Sequence, residues 1–208
     1  MYSLKYPPYR LETSRLVIRV WDPADASPMA DTVGRNLDHL RPWMPWALGD
    51  PPALDERIEL MRRFRADFDT GKDFIYGVFN PDESAVWGGT GLHDAGTSRA
   101  FQIGYWLDHA VCGQGLATEL SLALVGAAFL IDTVDRVEIR CDPLNQKSRR
   151  IPEKLGFELE GVRRRHYHGF PGEPRDSLVF TLFRDQLGPE HRLAGLRMFD
   201  AGGRKIEP

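Results

Sequence analysis

The sequence predicts one α/β (α+β) domain, a mixed, mostly antiparallel central sheet of about seven strands flanked by helices. Two patterns carry that reading. Three strand-like runs, 74–79, 86–92 and 101–107, follow one another with only turn chemistry between them, as in an antiparallel meander. A strongly apolar helical run, 116–131, then precedes another strand-like run at 136–141, and such mixing packs helices on a sheet. Size agrees. The 208 residues make one domain at about 150 residues each, and a chain this long buries about 70% of its unfolded surface. Residues 1–187 are read as the domain and 188–208 as a C-terminal tail.

In chain order, Leu16, Ile18 and Val20 alternate with Val17, Arg19 and Trp21, the period of a half-buried strand. Asp22-Pro23 ends it, and Pro23 suits the start of a helix. Pro42-Trp43-Met44-Pro45-Trp46 is a proline-constrained aromatic segment. Leu54, Ile58, Met61 and Phe64 fall at helical spacing within 53–69. Asn80-Pro81-Asp82-Glu83 and Asp94-Ala95-Gly96 are turn sequences between the meander strands. Asn145–Leu155 reads as a short helix stopped by Gly156. Runs 157–167 and 177–183 form a closing hairpin around Gly169-Phe170-Pro171-Gly172, and a short helix fits 190–198 in the tail.

Composition excludes several classes. Hydrophobic residues are 42% and aromatic residues 11%, too many for a disordered chain. Lys plus Arg total 27 and Asp plus Glu 30, for a net charge of −3; a DNA-binding protein would carry a basic excess. The basic run Arg163-Arg164-Arg165-His166 reads as a solvated strand face, with an acidic partner such as a ribosomal protein or RNA as the alternative. Cys112 and Cys141 form no CxxC or zinc pattern, so neither a disulfide scaffold nor a metal site is expected, and the cytoplasm is the expected location. Met1–Arg10 lacks a signal-peptide core. Leu122–Ile131, the longest apolar stretch, falls short of the ~20 residues a spanning helix needs, so no membrane role is expected.

The most informative stretch is Ile103-Gly104-Tyr105-Trp106-Leu107 followed by Gly113-Gln114-Gly115-Leu116-Ala117-Thr118. A strand ends, a glycine-rich turn follows, and an apolar helix begins. Glycines let backbone amides approach an anion, and a helix N-terminus offers free N–H groups to a phosphate. A Walker loop is excluded because GxxxxGK[ST] is absent. A dinucleotide fingerprint is disfavoured because Thr118 stands at the last glycine position and the preceding strands are hairpins. A tight turn without a ligand remains the plain alternative.

This stretch resembles the acetyl-coenzyme A pyrophosphate loop of the GNAT superfamily of N-acetyltransferases, with Gly115 and Ala117 on the small-residue positions of [QR]xxGx[GA]. The wording Gly-Tyr-Trp-Leu … Gly-Gln-Gly-Leu-Ala-Thr-Glu is similar to the RimJ/RimL branch, which acetylates protein N-termini. Glu12-Thr13-x-Arg15-Leu16-Val17-Ile18-Arg19, Leu40-Arg41-Pro42-Trp43-Met44-Pro45-Trp46 and Asn145-x-x-Ser148 … Glu153-Lys154-Leu155-Gly156-Phe157 resemble that branch too, in the same order. The likeness spans about residues 10 to 187.

The resemblance implies a sheet splayed between strands four and five, with the thioester of acetyl-CoA in the gap and no metal. It implies that Leu107 N–H faces the thioester oxygen, that Trp106, Gly113, Gln114, Gly115, Leu116, Ala117 and Thr118 contact the coenzyme, and that Asn145 bonds the pantetheine amides or caps a helix. Ser148 is the candidate acid for the leaving thiolate, because Pro152 stands where many relatives have a tyrosine. Trp43, Trp46 and Tyr105 are candidate walls of the amine pocket or ordinary core residues. Cys112 replaces the loop's usual Arg or Gln, and Gln102 replaces a strand-four carboxylate. Glutamine accepts no proton, so His93 and Glu138 are substitute bases. An α-amine, with a pKa about 2.5 units below lysine's, needs the weaker base. The implied activity is direct attack of an amine on the thioester, with a protein or peptide N-terminus favoured as acceptor. A small amine of the aminoglycoside type and a non-catalytic coenzyme A-binding module are the alternatives, and a homodimer is left open.

Overall fold

Alternation along 16–21 places side chains on both faces of a strand, and both faces are covered. In the computed structural model, which describes residues 5–97, 99–169 and 172–206, Leu16, Ile18 and Val20 enter one apolar cluster. Val17 and Trp21 enter a second. The expected half-buried strand is therefore buried on both sides, because helices lie on each face.

The sheet has ten strands rather than about seven. They are β1 (Arg10–Glu12), β2 (Val17–Val20), β3 (Phe74–Phe79), β4 (Val86–Asp94), β5 (Ala100–Leu107), β6 (Arg136–Cys141), β7 (Glu158–His168), β8 (Pro174–Phe183), β9 (Arg197–Phe199) and β10 (Lys205–Ile206). Their order is β10-β9-β1-β2-β3-β4-β5-β6-β8-β7. Every pairing is antiparallel except β5 with β6. The chain after 187 forms no helix over 190–198; a 3-10 turn at Pro189–His191 leads into β9. Met198 and Ile206 are buried in the main cluster, so two apolar residues anchor short edge strands. Phe170 and Pro171, at the expected hairpin tip, lie outside the described residues.

The helices are α1 (Ala26–Arg35), α2 (Leu37–Leu40), α3 (Leu54–Thr70), α4 (Leu116–Phe129) and α5 (Gln146–Lys154). Helix α3 ends where Gly71 takes a left-handed φ of 72°, a conformation that costs glycine little. Ala26, Met29 and Val33 of α1 and Met61 of α3 cover one face with Trp21 and Phe79. Helix α4 buries ten of its fourteen residues on the other, which explains a helix apolar all round. Among the described residues no helix is long and apolar enough to cross a membrane. The Arg163–Arg165 run is exposed on the terminal strand β7, where charge discourages edge-to-edge pairing.

Candidate active site

The site begins where two strands stop pairing. Strand β5 pairs with β6 only from Ala100↔Arg136 to Ile103↔Ile139, yet β5 runs on to Leu107 and β6 to Cys141. The last four residues of β5 thus have an unpaired edge; this is the splay expected between the fourth and fifth strand-like runs of the sequence, which are β5 and β6 here. Asp108 N–H donates to Trp87 O on the β4 side, at 2.8 Å. Successive amides of a strand point to opposite edges, so the Leu107 amide points into the gap.

Beyond β5, buried Asp108 fixes the turn into the glycine loop. Its carboxylate accepts from Arg35 (2.6 and 3.0 Å), Asn36 Nδ2 (3.0 Å) and Ala110 N–H (3.0 Å). Burial alone would raise its pKa, but these donors hold it below the usual carboxylate range. Gly113 and Gly115 then adopt left-handed φ of 80° and 81°. A Cβ on Gly113 would meet nothing within 4 Å, and one on Gly115 only Arg15 Nη2 at 3.8 Å. The loop is an open cradle at the N-terminus of α4. The carbonyl of Gly115 takes the Glu119 N–H, while the amides of Leu116, Ala117 and Thr118 have no acceptor within the helix. Arg15, held by Glu119 and donating from Nη1 to the Gln114 carbonyl at 2.9 Å, puts a guanidinium beside the loop. A pyrophosphate fits this donor set. Cys112 turns away from it, its sulfur 3.4 Å from Asp108 O.

Across the gap, Asn145 caps α5: its Oδ1 accepts from Ser148 N–H at 3.1 Å. Asp142 anchors the turn before it, accepting from Arg175 Nε (2.7 Å), Tyr167 O–H (2.8 Å) and Leu144 N–H (2.7 Å). The Tyr105 hydroxyl reaches from β5 to Ser148, 2.9 Å from Oγ and 3.4 Å from its carbonyl. Burial pushes the Tyr105 hydroxyl well above its usual pKa, so it stays protonated.

On the other face of β5 lies a cavity of about 540 Å³, lined by Gln102, Gly104, Tyr105 and Trp106 together with His93 and residues of α1, α3 and the 44–52 segment. Register pairs Gly89↔Trp106, Gly91↔Gly104 and His93↔Gln102 put these residues on one face. Gly91 and Gly104 leave room for the His93 ring, whose Nε2 lies 2.7 Å and 3.1 Å from where their Cβ atoms would stand. Its Nδ1 is 2.8 Å from Asp73 Oδ1, an Asp–His dyad facing the cavity.

The residues singled out in the sequence separate here. Trp46, half-exposed at 51%, stands edge-on to Trp106 at 5.8 Å in the cavity wall. Trp43 is not among the lining residues; it sits 5.9 Å from the Arg175 guanidinium. Glu138 does not reach the cavity as a base. It is 1% exposed and each oxygen is taken, by Arg136 at 2.7 Å and Arg140 at 2.6 Å, which makes it the centre of an ion-pair row on β6. Sequence reading passed over Asp73, Asp108, Asp142 and Arg57. Each lies in a turn or a helix far along the chain from its partner, so no local motif marks it.

An acetyltransferase (GNAT) domain family model matches residues 15–158, more than half of the chain. The chain belongs to the GNAT acetyltransferase family. As a GNAT enzyme it is an acetyl-CoA-dependent acyltransferase. It is 28% identical over 186 residues to the [ribosomal protein uS5]-alanine N-acetyltransferase of Escherichia coli (strain K12), covering 87% of this chain and 94% of that one. It is 28% identical over 150 residues to the putative ribosomal N-acetyltransferase YdaF of Bacillus subtilis (strain 168), covering 72% and 81%. The fold matches Mycobacterium smegmatis RimJ in complex with CoA-disulfide at a TM-score of 0.77 and 22% identity, over 89% and 93% of the two chains.

Proposed function

We propose that this enzyme acetylates the N-terminal α-amine of a protein or peptide by direct attack on acetyl-CoA, in the cytoplasm. The observation that carries the reading is the position of β5. Its unpaired end leads into the glycine loop and its Gln102, Gly104 and Trp106 line the cavity, so both substrates meet along one strand. The names of the curated relatives, two of which refer to ribosomal N-acetyltransferases, support the acceptor class. The cavity supports it too: where a lysine would call for a strong base, the lining offers Gln102 and His93.

The coenzyme supplies an acetyl thioester, and the chain's residues do the rest. Gln114, Gly115, Leu116, Ala117 and Thr118 bind the pyrophosphate through backbone amides, and Asn145 Nδ2 remains available to pantetheine. His93, oriented by Asp73, takes the proton of the attacking amine through Nε2. Leu107 N–H donates to the carbonyl oxygen as it gains charge, a contact typically worth about 3 kcal/mol. Ser148, in contact with Tyr105, gives a proton to the departing sulfur. One N–C bond forms, one C–S bond breaks, and solvent restores both protonation states.

The test is thiol release from acetyl-CoA with three acceptors: a peptide with a free N-terminus, the same peptide N-terminally blocked but carrying lysine, and a small polyamine. The reading expects the first to react at least tenfold faster at pH 7 and His93→Ala to slow it about a hundredfold. Preference for the lysine peptide or the polyamine contradicts it, and no thiol release with any amine favours a coenzyme-binding module.

A further inference from the structure

The acceptor cavity contains a buried cation with no carboxylate beside it. Arg57, in the first turns of α3, lines the cavity and is 3% exposed. The only hydrogen bond of its side chain among the described residues is from Nη1 to the thioether of Met29 at 3.1 Å, and Nε has none. No carboxylate of the described residues lies within 4 Å of it. Thioether sulfur is a weak acceptor, and an isolated charge is costly to bury. Burial lowers its pKa from the ordinary arginine value, but a guanidinium keeps its proton at neutral pH.

The surroundings sharpen the point. Trp21, Met29, Val33 and Phe64 line the same cavity and offer no charge. Its charged or basic lining residues are Asp50, Arg57 and His93, and Asp50 is exposed on the segment before α3. Other part-buried arginines of this chain have oxygen acceptors: Arg19 has the carboxylates of Asp25 and Glu83, and Arg184 has the carbonyls of Phe129, Ile131 and Val134. A planar fork of donors in an apolar wall matches a carboxylate. One guanidinium with no carboxylate beside it is matched by a singly charged group.

We propose that Arg57 selects the acceptor by pairing with a carboxylate carried by the amine substrate within the cavity. The inference rests on the acetyltransferase reading of this cavity. Two sources supply that chemistry: an acidic side chain near a peptide's N-terminus, or the α-carboxylate of a free amino acid. Arg57 is a specificity-determining residue, since the acid it binds is remote from the bond that forms.

The experiment compares C-terminally amidated tetrapeptides with alanine first and Asp placed second, third or fourth, their Asn counterparts, and free alanine. Wild-type enzyme and Arg57→Met are assayed by thiol release, with melting temperatures recorded. One Asp peptide should exceed its Asn counterpart about tenfold or more in kcat/KM, and Arg57→Met should bring that ratio near one. Because an apolar side chain of similar length replaces an unpaired buried charge, the variant should melt at the wild-type temperature or above. If the peptide series is flat but free alanine reacts and depends on Arg57, the carboxylate is that of an amino acid. Equal rates for Asp and Asn peptides with no reaction of free alanine overturn the proposal while leaving N-terminal acetylation intact. An acid preference that survives in Arg57→Met overturns the assignment to Arg57. Should Arg57→Met fail to fold, Arg57→Gln is assayed in its place with the same two outcomes. Absence of transfer to every peptide and to alanine counts against the acetyltransferase reading itself.

Discussion

The Tyr105 hydroxyl lies 2.9 Å from Ser148 Oγ and 3.4 Å from the Ser148 carbonyl, and Pro152 makes that second approach possible. In an unbroken helix the N–H four residues on would occupy the Ser148 carbonyl. Proline has no N–H, so the carbonyl is left for Tyr105. A tyrosine from β5 thus reaches this helix at Ser148. Tyr105→Phe should lower kcat about tenfold with little change in the KM for acetyl-CoA, and Ser148→Ala should lower it further. Steady-state kinetics with acetyl-CoA varied checks this; unchanged kcat in both variants removes Ser148 and Tyr105 from proton delivery.

Acetyl-CoA should raise the melting temperature, since a ligand bound only by the folded chain stabilises it by mass action. Gly115→Glu should remove that rise. It forces a side chain onto a φ of 81°, at a cost of about 1 kcal/mol, and sets a negative charge at the pyrophosphate site. Thermal scans with and without ligand give the answer, and a full shift in the variant refutes the loop assignment.

Burial pushes the Cys141 thiol up to about 11, so it is protonated throughout the neutral range and a poor nucleophile. Cys141→Ala should keep activity within about threefold, and iodoacetamide at pH 8 should label Cys141 more slowly than a free thiol. A thousandfold loss in the folded variant, or an acetylated Cys141 by mass spectrometry, argues for an acyl-enzyme instead.

Acid should loosen the β6–α5 turn. Burial alone would raise the pKa of Asp142, but Arg175, Leu144 N–H and Tyr167 hold it below the usual carboxylate range. Its folded pKa is therefore below the unfolded value of about 3.9. The stabilisation is complete above that value and is lost as pH falls through the folded pKa. The melting temperature should hold from pH 7 to 5 and fall below about pH 4. Asp142→Asn should cost about 1–3 kcal/mol at pH 7 and flatten the acid slope. An identical slope in the variant assigns the acid sensitivity to other carboxylates.

Elements set by local patterns were legible in the sequence. The Phe74–Phe79 and Arg136–Cys141 strands fall where alternation and turn residues put them, and the apolar run from Leu116 forms α4. What local pattern does not encode is partnership across the chain. Met198 and Ile206 carry short edge strands that only β1 makes possible. Asp73 meets His93 because β4 returns antiparallel to β3. Arg57 shows a helical period like any surface arginine, and only the packing of α1 over it reveals that it is buried. Glu138 is a candidate base in the sequence because Gln102 leaves the neighbouring strand without a carboxylate, and only the structure shows that Arg136 and Arg140 both fold onto it.

The central claim is transfer to an α-amine, and one competition measures it. A single peptide with a free N-terminus and an internal lysine is incubated with enzyme and acetyl-CoA at pH 7, and fragment masses locate the acetyl group. The account predicts acetyl on the N-terminal nitrogen, with lysine acetylation below about a tenth of it. Acetyl on the lysine Nζ as the main product contradicts the account.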